Sequence, residues 1–139
     1  METRDFLEKQ IDQLGQMLTA LFNKVLKRTE QGISIKDDEI IQTFQDELLI
    51  DLTKVSELNQ DELIYFLINK RGYNFENLEK LAKVISLFSS KKYEPLLTDN
   101  TLRSLELSIL DYLTANDKNF SLERQLRVDY LKKSNIDGL

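Results

Sequence analysis

Cysteine and histidine are both absent from this chain of 139 residues. Without cysteine there can be no disulfide and no thiolate metal site, and a reducing, cytoplasmic setting is expected. Without histidine the chain lacks the commonest general base near neutral pH and the commonest transition-metal ligand. Tryptophan is missing too, proline occurs once, at Pro95, and glycine four times. Sheet proteins need frequent Gly, Pro and Asn turns, so this scarcity points to helices. No stretch reaches the ~18 continuous apolar residues of a membrane-spanning helix. The opening Met1-Glu2-Thr3-Arg4-Asp5 is charged and leads straight into an amphipathic pattern, unlike the apolar centre of a signal peptide.

What is present is a composition suited to burial. Hydrophobic residues make up 41% and charged residues 31%, the balance of a folded domain rather than a disordered one. The length suggests one domain over residues 1–139, able to bury about 68% of its unfolded surface. The net charge of -5 is unevenly spread. Ten acidic residues lie between Glu30 and Glu62 against Lys36 and Lys54 alone, a local balance of -8. An acidic chain is a poor non-specific ligand for nucleic acid or anionic membranes, so neither is expected as a partner.

The longest amphipathic pattern comes first. Leu7, Ile11, Leu14, Leu18, Leu21 and Val25 recur at spacings of four and three, which keeps them on one side of a helix for about five turns. Thr3 is the expected cap and Gly32 the stop, after Lys24, Lys27 and Arg28 in the last turns. In heptad terms Ile11, Leu18 and Val25 take position a, and Leu7, Leu14 and Leu21 position d. Coiled coils put charges on the flanks of such a seam, whereas Gly15, Met17 and Phe22 stand there, and Phe6 and Leu26 widen the apolar arc. The seam is therefore expected to be first the spine of a core, and second a surface on which a twin subunit docks.

Five further helices follow. One starts at Asp37 or Asp38 and carries Ile40, Ile41, Phe44, Leu48 and Leu49; the stretch Ile50–Leu58 reads either as its continuation or as a break. Asn59-Gln60-Asp61-Glu62 is a capping-box variant opening the next, which ends at Lys70-Arg71-Gly72. Asn74 caps a helix with Leu78, Leu81, Ala82, Ile85 and Phe88, and Pro95 lies in the loop beyond. A helix from Thr98 or Asp99 to Ala115 carries Leu102, Leu105, Ile109, Tyr112 and Leu113. Ser121 caps the last, with Leu122, Leu126, Val128, Tyr130 and Leu131, and residues 134–139 are expected to fray. Short connections between about six helices imply an all-α antiparallel bundle or stacked hairpins.

Tests for chemistry return little. Di-metal bundles use Glu with Glu-x-x-His pairs, which cannot be built without histidine. Asp51–Glu62 has the first and last residues of a calcium loop, but Thr53 and Val55 replace oxygen ligands and Ser56 stands where glycine is needed. No glycine-flanked serine, phosphate-binding loop or dinucleotide fingerprint occurs. No catalytic, metal or cofactor residue is nominated, and the chain is expected not to be an enzyme. Arg124, Arg127, Lys132 and Lys133 form a basic grouping interrupted by Glu123 and Asp129, a weak nucleic-acid signal. Tyr65, Phe66, Tyr73 and Phe75 straddle a turn and read as hairpin packing before they read as a binding patch. Asp37, Asp38, Glu39, Asp46, Glu47 and Asp51 form a candidate acidic surface for a protein partner, though acids at a helix start are also what its dipole favours.

Asp5-Phe6-Leu7 through Ile11-Asp12-Gln13-Leu14-Gly15, then Leu52–Leu67 and Leu78–Ile85, together resemble a family of uncharacterised bacterial domains. The resemblance rests on leucine spacing over about half the chain and implies helix pairs similar to tetratricopeptide ones. The tetratricopeptide fingerprint itself is absent, since there is no tryptophan and Ala20, Ala82 and Ala115 miss its small-residue positions. The family implies a fold and no activity. The expectation is thus a non-catalytic, cytoplasmic protein-interaction module with an acidic surface, its partner another protein or itself. The alternative is an acidic regulator that neutralises a basic protein or mimics nucleic acid.

Overall fold

Residues 2–89 and 99–137 are described in the computed structural model, with side chains over 6–89 and 100–133. The predicted turn about Pro95 and the last two residues lie outside these ranges. Among the described residues there are seven α-helices and no strand. They are α1 (Glu2–Glu30), α2 (Asp37–Leu48), α3 (Leu52–Val55), α4 (Gln60–Tyr65), α5 (Phe75–Ser89), α6 (Asp99–Asn116) and α7 (Leu122–Asp137). The stretch left open between Ile50 and Leu58 contains the short α3, and α7 continues to Asp137 where fraying from Ser134 was expected.

Local chemistry sets most of these boundaries. Gly32 stands at φ 74°, the left-handed turn that ends α1 after Lys27 and Arg28. Asp51 caps α3 by accepting from the Thr53 and Lys54 amides. Asn59 and Glu62 form the reciprocal capping box of α4. Asn74 Oδ1 accepts from the Asn77 amide at 2.8 Å, and Ser121 Oγ from the Arg124 amide at 3.2 Å. Two features are not local. Phe66–Lys70 forms a π-helical turn after α4, and Leu49 ends α2 at φ 57°, a conformation costly for a side chain of its size.

The core is one cluster with α5 at its centre. α1 packs along one side of α5 and α6 along another, and α7 packs on α6. Leu78, Leu81, Ala82, Val84, Ile85 and Phe88 of α5 are buried, which leaves that helix apolar on most of its circumference. Phe44 of α2 meets Phe88 with ring centroids 5.7 Å apart. Where α1 and α5 cross, Asn77 is buried and donates from Nδ2 to the Ile11 carbonyl at 3.0 Å. A Cβ on Gly15 would stand 2.9 Å from Asn77 Oδ1, so this approach needs a glycine.

The seam of α1 is divided by length. Its 29 residues span about 44 Å, whereas the 15 of α5 span about 22 Å. Leu18, Leu21 and Val25 are buried in the core, Ile11 and Leu14 are half-buried, and Leu7 is exposed beside Phe6. Leu18, Leu21 and Val25 are consequently closed to a twin subunit, and only the Leu7 end remains open to one.

Candidate interaction surface

α7 turns two arginines toward the bundle and an apolar stripe away from it. On the side facing the bundle, Arg124 is 8% exposed. Its guanidinium pairs with Glu79 of α5 and with Asp117 at 3.1 Å, and lies 5.6 Å from the Phe75 ring centroid. One turn on, Arg127 donates from Nε and Nη2 to the Glu106 carboxylate of α6 at 2.7 and 2.9 Å. Glu106 is 1% exposed. Val128 and Leu131 complete the inner face and are buried. A buried carboxylate and a buried guanidinium are tolerable only when each satisfies the other, so these pairs fix the rotation of α7 about its axis. The Asn119 amide and the Arg124 guanidinium hold the Asp117 carboxyl below its usual range, and the bond to Glu106 raises Arg127.

The opposite face carries Leu122, Leu126 and Tyr130, which are 62%, 60% and 57% exposed, with Phe120 at 77% just before the helix. Residues four apart advance by about 40°, so these three form one stripe, and Leu126 stands about 160° around the helix from Arg124 and Val128. The Arg127 guanidinium lies 5.2 Å from the Tyr130 ring, so the ion pair that anchors the helix also steadies the aromatic.

Sequence reasoning gave this helix Leu122, Leu126, Val128, Tyr130 and Leu131 as its apolar residues without assigning them to faces. The structure divides them. A signal for the division was present: Arg124, Val128 and Leu131 are themselves a helical stripe, offset from Leu122, Leu126 and Tyr130. The basic grouping is likewise dispersed, because Arg124 and Arg127 are committed internally and Lys132 sits 3.8 Å from Asp111.

The acidic candidates do not converge. Glu39 pairs with Arg28, which also donates to the Ser34 carbonyl at 3.1 Å. Glu47 lies 3.9 Å from Lys24, and Asp46 accepts from Gln42 at 2.8 Å. Asp51 is the α3 cap; the Thr53 hydroxyl, with the Thr53 and Lys54 amides, holds its carboxyl below the usual range. Asp37 and Asp38 stand with Glu39 in the first turn of α2. Among the described residues no three Asp or Glu side chains gather to hold a metal ion.

The aromatics about the α4–α5 turn have separate fates. Tyr65 is exposed, Phe66 lies under the Arg71 guanidinium at 4.8 Å, and Phe75 lies under Arg124. Tyr73 is buried with its hydroxyl unpartnered, and burial raises its pKa above the ordinary tyrosine value.

Two grooves remain. One, of about 500 Å³, runs between α1 and α5 over Asp12, Gly15, Thr19, Asn23, Glu76 and Lys80. The other, of about 230 Å³, is lined by Ser56, Leu58, Leu63, Thr101, Ser104 and Ser108. Among the described residues no helix is long and apolar enough to cross a membrane. In comparisons with known proteins, no family model, no curated protein and no solved structure matches this chain.

Proposed function

We propose that this chain is a non-catalytic protein-interaction module that binds a protein partner on the outward face of α7. The observation carrying this reading is the inversion of that helix, with Arg124 and Arg127 inside and Leu122, Leu126 and Tyr130 outside. The bundle covers one side of this helix through Arg124, Arg127, Val128 and Leu131, and an exposed apolar stripe on the other side calls for a second layer. Clustered aromatic and leucine side chains with a preset Tyr are what interface centres are made of. The acidic stretch enters as a solvating flank, since Glu39, Glu47 and Asp51 are already engaged within the fold.

A photo-crosslinking residue at position 126, and separately at position 38, tests this in cells. Adducts of protein size from position 126 and none from position 38 are expected. Adducts from position 38 alone would replace this reading with the acidic regulator, and silence at position 126 would end it.

A further inference from the structure

We infer that the groove between α1 and α5 binds a free α-amino acid with an uncharged polar side chain. The outer face of α7 plays no part in it.

The starting point is one unused acceptor. Asn77 is 2% exposed and lines the groove. Its Nδ2 is committed to the Ile11 carbonyl, which fixes the amide with Oδ1 toward Gly15. Among the described residues nothing donates to that oxygen. A nearly buried carbonyl oxygen calls for a donor, and the groove is the route by which one reaches it. Gly15 keeps the oxygen open. A Cβ there would stand 2.9 Å from Asn77 Oδ1 and 3.2 Å from Lys80 Nζ. The space that a methyl would fill therefore borders both an acceptor and an ammonium.

The charges of the groove are unpaired as well. Asp12, Glu76 and Lys80 all line it, and among the described residues none of the three has an ion-pair partner. A ligand with an anionic and a cationic group a few bonds apart answers this set. Its carboxylate pairs with Lys80 and its ammonium donates to Asn77 Oδ1, while Asp12 and Glu76 add negative potential for the same cation. An α-amino acid carries these two charges at neutral pH.

The side chain has room too. The groove holds about 500 Å³, within the range of about 300–1,000 Å³ that small-molecule sites occupy. Gln16 and Asn23 also line it, about 10 Å apart along α1, and neither side chain is hydrogen-bonded among the described residues. A carboxamide both donates and accepts, which suits a ligand side chain that does the same.

NMR of the labelled full chain tests this, with each of the common L-amino acids added at about 10 mM. At least one of glutamine, asparagine, serine and threonine should shift the amides of residues 11–23 and 76–80, with a Kd below that concentration. Its N-acetyl and carboxamide derivatives, each lacking one charge, should bind at least about tenfold more weakly. Lys80→Met should weaken binding by a similar factor without lowering the melting temperature, since Lys80 holds no partner in the fold. No shift from any amino acid, or binding unchanged in Lys80→Met, would overturn the site. Acetate binding as tightly as the amino acid would leave a simple anion site and overturn the zwitterion. Tightest binding by leucine or lysine would overturn the side-chain class.

Discussion

Replacing Arg127 by Met removes both donors to a carboxylate that is 1% exposed. The aliphatic stem is kept, so the loss is confined to the charge and its two bonds. Breaking one partner from a buried pair costs roughly 3–5 kcal/mol, because the survivor stays desolvated. The Arg127 side chain is 30% exposed and Glu106 2%, so water reaches one end of the pair and the lower figure, about 3 kcal/mol, is the one expected here. For a chain of this length that is a fall in Tm of about 10 °C. Replacing both members, Glu106→Leu with Arg127→Met, takes away the unpaired charge as well as the pair and should return the protein to within about 1 kcal/mol of wild type. Arg127→Lys should fall between, since an ammonium cannot make both parallel bonds. Urea unfolding of the four proteins at neutral pH measures each cost and the coupling between the sites. A loss below about 0.5 kcal/mol in the single variant would mean that Glu106 is solvated, and the orientation of α7 described above would be wrong.

Three further substitutions probe the fold. Tyr73→Phe deletes a buried hydroxyl that has no partner and should raise stability by about 1 kcal/mol in urea melts. The same residue gives a pH dependence: its raised pKa means the folded chain keeps a proton that the unfolded chain loses above pH about 10, so its share of stability is intact below that pH and declines as pH rises. Midpoints measured from neutral to strongly alkaline pH should show a smaller decline in Tyr73→Phe. Gly15→Ala gains about 1 kcal/mol of helix propensity yet places a Cβ 2.9 Å from the buried Asn77, and a net loss of about 1 kcal/mol is expected from thermal melts. Leu49→Gly relieves the left-handed conformation at φ 57° and should stabilise by about 0.5 kcal/mol, after the extra freedom of glycine in the unfolded chain is set against it.

Those parts of the fold that depend on neighbours in sequence were legible. Gly32, Asn59 with Glu62, Asn74 and Ser121 cap or stop helices through partners within about four residues, and each does so as its residue type implies. Arg71 ties the π turn at Phe66–Lys70 to the end of α2: it stacks on Phe66 and donates from Nε to the Leu49 carbonyl, 22 residues away, at 2.7 Å. Neither has a local signature. The seam of α1 showed that a stripe would be buried but not how far its partner helix extends. The candidate surface was the least legible. Periodicity in α7 offers two stripes about half a turn apart, and Glu79 and Glu106 decide which faces inward. Those carboxylates sit 45 and 21 residues away from their arginine partners, beyond the reach of any local pattern.

The fastening of α7 by charge also bears on the order in which the molecule comes apart. Among its described side chains, detaching this helix uncovers only Val128 and Leu131 as buried apolar surface, and its arginines regain water as they leave. The packing of α1 and α6 against α5 does not involve this helix. Partial opening at the C-terminal helix is thus a low-cost excursion from the native state, and its amides should exchange with solvent ahead of those of α5. Anything that grips the outer stripe would close that route, so occupancy of the surface would appear first as slowed exchange in α7, before any change in the melting of the whole.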